Sequence, residues 1–167
     1  SLVVPADATN VWTTVRPVLR RPTPSPPPEM FTVGSSTFAF AHKGHEAITA
    51  RVHDELDEAV LRFNCPPSHY GDPQGHTART IVDRCRSLIT KPGIRLEVTF
   101  DLLPTEEDVA RFLEGNTVNI FWYDQWPVPH SMRGVASSPD TAIATRRPLV
   151  VSGGTTMFRH LYPHYGR

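Results

Sequence analysis

The chain has 167 residues, 39% of them apolar, which is enough to close the core of one ordinary domain. Seventeen basic residues balance seventeen acidic ones, so no overall field favours nucleic acid or an anionic membrane surface. No apolar run approaches the roughly 18 residues of a membrane span, and no charged stretch followed by a long apolar one opens the sequence.

A cytoplasmic protein with no membrane span and no nucleic-acid partner is therefore expected. The two cysteines, Cys65 and Cys85, have neither the close spacing of a zinc site nor the density of a disulfide scaffold. They are expected to be reduced and partly buried.

The first fifteen residues, SLVVPADATNVWTTV, have some strand character but are too few for a domain, and they read as the end of something longer. Residues 16–29, RPVLRRPTPSPPPE, carry too many prolines for a helix or a central strand, because proline lacks an N–H and restricts its predecessor. Residues 1–30 are thus an N-terminal segment and an extended proline-rich linker, and residues 31–167 the domain proper.

Apolar runs and helix-period segments then alternate. MFTVGSSTFAF reads as a first strand, and GHEAITARVHDEL as a helix with Ala47, Ile48 and Val52 facing inward. EAVLRFNC is a second strand, followed by the helix GHTARTIVDRCRSLI, in which Ala78, Ile81, Val82, Cys85 and Ile89 recur at three and four. PGIRLEVTF makes a third strand. TEEDVARFLEG makes a helix capped by Thr105 with Asp108 three residues on, and stopped by Gly115.

TVNIFWY is a fourth strand, apolar nearly throughout as a buried parallel strand should be. SSPDTAIATR is a helix, RPLVVS a fifth strand, and TTMFRHL a last short helix. The fold class is α/β, a single Rossmann-like domain whose parallel sheet of about five strands carries helices on both faces.

In such a sheet, ligands collect outside the carboxyl ends of the strands, where helix N-termini offer free N–H groups. After the first strand, Lys43 can donate to a phosphate, with Gly44 letting the backbone come close. The same pair also reads as a solvated lysine before a turn glycine. After the second, His69, Asp72 and His76 can serve a metal or acid–base chemistry, or be caps and turn formers.

After the fourth, Arg133 and Gly134 precede a helix start at Ser137, Ser138 and Asp140, where Asp140 also reads as a first-turn acid favoured by the helix dipole. Trp122, Tyr123 and Trp126 can stack on a base or sugar, although Trp122 on a strand reads as core. After the fifth, Gly153 and Gly154 before Thr-Thr can form a nest of N–H groups for an anion. There is no Gly-Lys-Thr P-loop, no G-x-G-x-x-G after the first strand, no G-x-S-x-G elbow and no H-E-x-x-H. A nicotinamide dinucleotide is disfavoured, and no nucleophile–base pair stands out.

The segments TVGSSTFAFAHKG and RGVASSPDTAIATRRPLVVS, following a proline-rich connection, resemble the C-terminal, donor-binding domain of glycosyltransferases built from two Rossmann-like domains, the GT-B architecture. The resemblance covers roughly residues 31 to 162. It implies that Lys43 contacts the donor diphosphate and that Gly34 lies in the first-strand glycine turn. Gly134 then matches the glycine after the first glutamate of the family's paired-glutamate motif, and Pro148 to Ser152 match its closing strand.

The sequence departs from the pattern in three places. The two motif glutamates fall on Arg133 and Thr141, the arginine that accompanies the lysine is missing, and Arg146 stands where the family has glycine. Asp140 or Ser137 can substitute for the lost sugar contacts.

The resemblance thus implies a nucleotide-sugar binding domain, half of a larger glycosyltransferase of hexosyltransferase type, inactive alone because the acceptor-binding domain is missing. The expected ligand set is Gly34, Lys43, Gly44, Arg133, Gly134, Ser137, Ser138, Asp140 and Gly154, with no metal and no cofactor. Its partners are the donor and an N-terminal acceptor domain or another protein chain. The alternative is a non-catalytic module that keeps the fold as a scaffold and holds a partner through the proline-rich strap and the loop at Trp126.

Overall fold

Five strands and four helices alternate along the residues that the computed structural model describes, 26–68, 70–123 and 138–152. They are β1 (Thr32–Ser36), α1 (His45–Glu55), β2 (Ala59–Asn64), α2 (His76–Leu88), β3 (Ile94–Thr99), α3 (Glu106–Glu114), β4 (Val118–Phe121), α4 (Ser138–Ala144) and β5 (Leu149–Val151). A single turn of 3-10 helix at Ala41–Lys43 precedes α1. The linker before Pro26, the loop 124–137 and the expected last helix 155–161 lie outside the described residues.

The sheet runs in the order β3-β2-β1-β4-β5 and every pairing is parallel. Central β1 is therefore buried along its whole length, with Gly34 opposite Arg62 on one side and Asn119 on the other. Edge strand β3 alternates between buried, half-buried and exposed positions. With β2 and β3 on one side of β1 and β4 and β5 on the other, crossovers of the usual right-handed sense put the helices on opposite faces.

One face carries a core of Ile48 and Val52 from α1, Ala78, Ile81, Val82 and Cys85 from α2, and Leu61 and Phe63 beneath them. The other carries a smaller cluster of Leu113, Phe121, Tyr123 and Ala142 around α3 and α4. This is a single Rossmann-like domain.

Three expectations need adjustment. Ala47 is exposed, and α1 turns His45, Ile48, Thr49 and Val52 inward, because these positions share one stripe of a 3.6-residue helix and residue 47 lies across from it. Trp122 is 42% exposed rather than core, since β4 ends at Phe121 and the in–out alternation buries Tyr123 instead. Both cysteines are free thiols buried completely rather than partly.

The cap of α3 is as expected. Thr105 accepts the Asp108 N–H at 3.1 Å, the Asp108 carboxylate accepts the Thr105 N–H at 3.2 Å, and Gly115 closes the helix.

An apolar groove of about 430 Å³, lined by Val33, Val52, Val118, Ile120 and Val150, lies toward the amino ends of the strands. It is at the opposite end of the sheet from the carboxyl-end loops. Among the described residues no helix is long and apolar enough to cross a membrane.

Candidate functional site

The strand order reverses between β1 and β4, so the carboxyl ends of those two strands mark the switch point at which an open α/β sheet forms its crevice. From β1 the chain passes through Thr37 and the aromatic stretch Phe38–Phe40 into the 3-10 turn, then through Gly44 into α1. Gly44 has φ 66°, a left-handed conformation that a β-carbon disfavours, and its α-carbon packs against the backbone carbonyl of Trp122. Glycine thus lets the start of α1 close onto the end of β4.

This contact brings Lys43 across the crevice. Its Nζ lies 3.6 Å from the centroid of the Tyr123 ring. Burial lowers the lysine pKa to about 8, so the amine is still mainly charged at neutral pH. Beside it, His42 stacks on Phe40 with ring centroids 5.7 Å apart, and burial followed by the charge of Lys43 lowers its pKa to about 4. His45 is held down to about 4 by the same two causes in the same order. Around pH 7 Lys43 therefore carries the positive charge while its histidine neighbours are neutral.

The floor of the crevice is polar and hydrogen-bonded. Ser36 donates to Asn64 Oδ1 at 2.9 Å, and Asn64 Nδ2 donates to the Asp101 carbonyl at 2.9 Å, linking the ends of β1, β2 and β3. Thr37 Oγ1 and the Tyr123 hydroxyl lie 3.3 Å apart, and burial pushes the phenol up to about 12. Phe38, Tyr70, Leu102 and Trp122 are exposed on loops that leave four successive strands.

Of the residues expected from sequence, Lys43 and Gly44 sit together at this crevice. Gly34 lies inside β1 rather than in a turn, where the Asn116 side chain packs against it. Ser138 and Asp140 form the first turn of α4, the helix that follows β4. Arg133, Gly134, Ser137 and Gly154 lie outside the described residues.

Asp72 has a structural task, since its carboxylate accepts the Ala78 N–H at 2.9 Å at the start of α2. Burial pushes its pKa up, but the amides of Ala78, Thr77 and His76 and the charge of His76 outweigh that, and the net shift is downward. His69 lies outside the described residues, and among those described no three metal-binding side chains come together.

Sequence reasoning missed Thr37 altogether and missed how Tyr123 and Ser152 cooperate. Thr37 carries no motif, and the Lys43–Tyr123 contact spans a separation in sequence that no local pattern encodes.

No family model matches the sequence, and no curated protein matches it. Among solved structures, a UDP-forming α,α-trehalose-phosphate synthase from Burkholderia xenovorans matches with a TM-score of 0.52 at 10% identity over 78% of this chain. The chain spans 31% of that synthase. A universal stress protein in complex with cAMP matches with a TM-score of 0.44 at 8% identity, over 74% of this chain and 96% of its own. A universal stress protein from Archaeoglobus fulgidus matches with a TM-score of 0.40 at 8% identity, over 72% and 92%. At 10% identity the likeness to the synthase is one of fold alone, and the fold it supports is Rossmann-like.

Proposed function

We propose that this chain is a glycosyltransferase-like, nucleotide-sugar binding domain that forms the donor half of a larger protein. The observation that carries the reading is Lys43, a mainly charged and largely buried amine at the start of α1 where the strand order reverses, with Gly44 holding the backbone close to β4. Among the described residues no carboxylate forms an ion pair with it. A charge held there with no ion pair to any described carboxylate suits a diphosphate.

The reading assigns further donor contacts to Gly44, Arg133, Gly134, Ser137, Ser138, Asp140 and Gly154, with Gly34 setting the position of β1 beneath them. Catalysis would be electrostatic: Lys43 stabilises charge developing on the leaving phosphate, while the sugar acceptor comes from another domain. The synthase with the similar fold is named as UDP-forming, which puts uridine diphosphate sugars first in any panel.

Calorimetry with uridine, guanosine and adenosine diphosphate sugars tests the reading. At least one should bind, and Lys43→Ala should weaken it at least tenfold, about 1.4 kcal/mol. Failure of every member to bind wild-type protein overturns it.

A second reading, a non-catalytic scaffold, draws on the exposed Phe38, Tyr70, Leu102 and Trp122 around the same end of the sheet. It predicts that Trp122→Ala alters oligomeric state or partner capture while no nucleotide sugar binds.

A further inference from the structure

We infer that Tyr123 is the positioning residue for Lys43, a ring fixed from two neighbouring strands so that its face holds the ammonium group across the crevice. The inference rests on the anion-binding reading above for its purpose, and on four contacts for its geometry.

Tyr123 stands two residues beyond the end of β4 and is 2% exposed. Its main chain is clamped from β5: the Tyr123 N–H donates to Ser152 Oγ at 2.9 Å, and the Ser152 hydroxyl donates back to the Tyr123 carbonyl at 2.8 Å. At the far end of the ring, the hydroxyl lies 3.3 Å from Thr37 Oγ1 on the extension of β1. With backbone and hydroxyl both tied, the ring has little freedom to rotate, and Lys43 Nζ lies over it at 3.6 Å from the centroid.

A ring face is a particular kind of partner for a cation. It attracts the ammonium through its quadrupole but carries no net charge, so it orients the amine without neutralising it. A carboxylate in the same place would compete with an incoming phosphate for the lysine. Tyr123 instead holds the lysine chain in one place before the ligand arrives, and the ligand then need not order it. Among the described residues, His42 and His45 on its own segment feel the charge of the amine, and the Tyr123 ring lies against it.

The chain has only two lysines, Lys43 and Lys91, which makes the amine directly observable. Reductive methylation of the full chain with ¹³C-formaldehyde gives one dimethyl-lysine signal for each, assigned by Lys91→Arg, beside that of the terminal amine. Lys43 should show an upfield ring-current displacement that Lys91 lacks. Tyr123→Phe should keep the displacement, and Tyr123→Leu should abolish it.

In parallel, pyrophosphate affinity of the unmodified proteins should fall about tenfold in Tyr123→Leu, and Tyr123→Phe should restore it to within about threefold of wild type, within the range expected for a desolvated cation–π contact. An undisplaced Lys43 signal in wild-type protein overturns the inference even if diphosphates bind. So does Tyr123→Leu that melts like wild type and binds pyrophosphate equally well. Should Tyr123→Leu fail to fold, the wild-type signal and the Tyr123→Phe variant still decide. A displaced signal in a protein that binds no diphosphate or nucleotide sugar removes the donor reading, and with it the purpose assigned to Tyr123, while leaving the contact in place.

Discussion

The side-chain amide of Asn116 rests against the α-carbon of Gly34, in the space that a β-carbon would fill. That amide donates to Asn119 Oδ1 at 2.8 Å, and Asn119 donates to the Leu113 carbonyl at 3.1 Å, so a buried polar chain ties the end of α3 to β1 and β4. A methyl group at position 34 would push into groups that cannot move without losing their partners. Gly34→Ala is expected to destabilise the domain by about 1–3 kcal/mol. Urea unfolding checks this as a lower midpoint with an unchanged slope.

Diphosphate binding should depend on the charge of Lys43. Below its pKa of about 8 the amine is protonated and attracts the ligand, and as pH rises through that value the attraction is lost. Affinity for pyrophosphate should therefore fall about tenfold between pH 7 and pH 9.5. Lys43→Arg, which stays charged throughout, should keep any binding it has across the same range. Calorimetry at both pH values in buffers of equal ionic strength is the measurement.

Acid should destabilise the fold through His45 before the carboxylates respond. This imidazole is 1% exposed, its Nε2 faces Cys65 Sγ at 3.7 Å, and its Nδ1 has no hydrogen-bond partner among the described residues. Burial, with a smaller contribution from Lys43, holds its pKa at about 4 against an ordinary 6.5. The unfolded chain thus takes up the proton first as pH falls, and stability present above about 6.5 drains away toward pH 4. The loss is on the order of 3 kcal/mol. Asp72, with a lowered pKa, contributes its own loss only below 3.8. Urea midpoints at pH 7 and pH 4.5 should differ less in His45→Gln than in wild type, the residual gap belonging to His42, whose pKa is also lowered to about 4.

Arg146 occupies a left-handed backbone position, φ 57°, just beyond α4, where the resemblance to GT-B domains places glycine. An L side chain there is strained by roughly 1–2 kcal/mol, partly offset by the extra freedom that glycine gives the unfolded chain. Arg146→Gly should stabilise the domain by about 0.5–1 kcal/mol, raising the melting temperature by a few degrees for a chain of this size. Differential scanning calorimetry provides the check.

The alternation of strands and helices was legible because β2 and β4 are short, largely apolar runs bounded by turn residues, and because α2 and α3 carry clear helical periodicity. The α3 cap was legible too, since Thr105 and Asp108 make their contacts within one turn. In α1 the pattern misled at Ala47, because its buried face includes His45 and Thr49, two residues that hydrophobicity alone would leave outside. Lys43 and Gly44 were singled out by their place after a strand, and the structure sets them beside the end of β4. The ring that holds Lys43 was not, because the contact depends on β4 lying beside β1, a neighbour relation set by the order of the whole sheet.

The two hydrophobic clusters are unequal, and the crevice straddles them. Lys43 leads into α1, which packs on the larger cluster, whereas Tyr123 belongs to the smaller one and is tied to Ser152 at the end of β5. Among the described residues the β4–β5 flank thus has less apolar burial than the β2–β3 flank, and it should open first in subglobal fluctuations. Each such opening would take the aromatic platform away from the amine, so occupancy of the crevice and closure of this flank are thermodynamically linked. Amide exchange at Phe121 and Val151 would then slow in proportion to ligand saturation, while exchange in β2 would barely change.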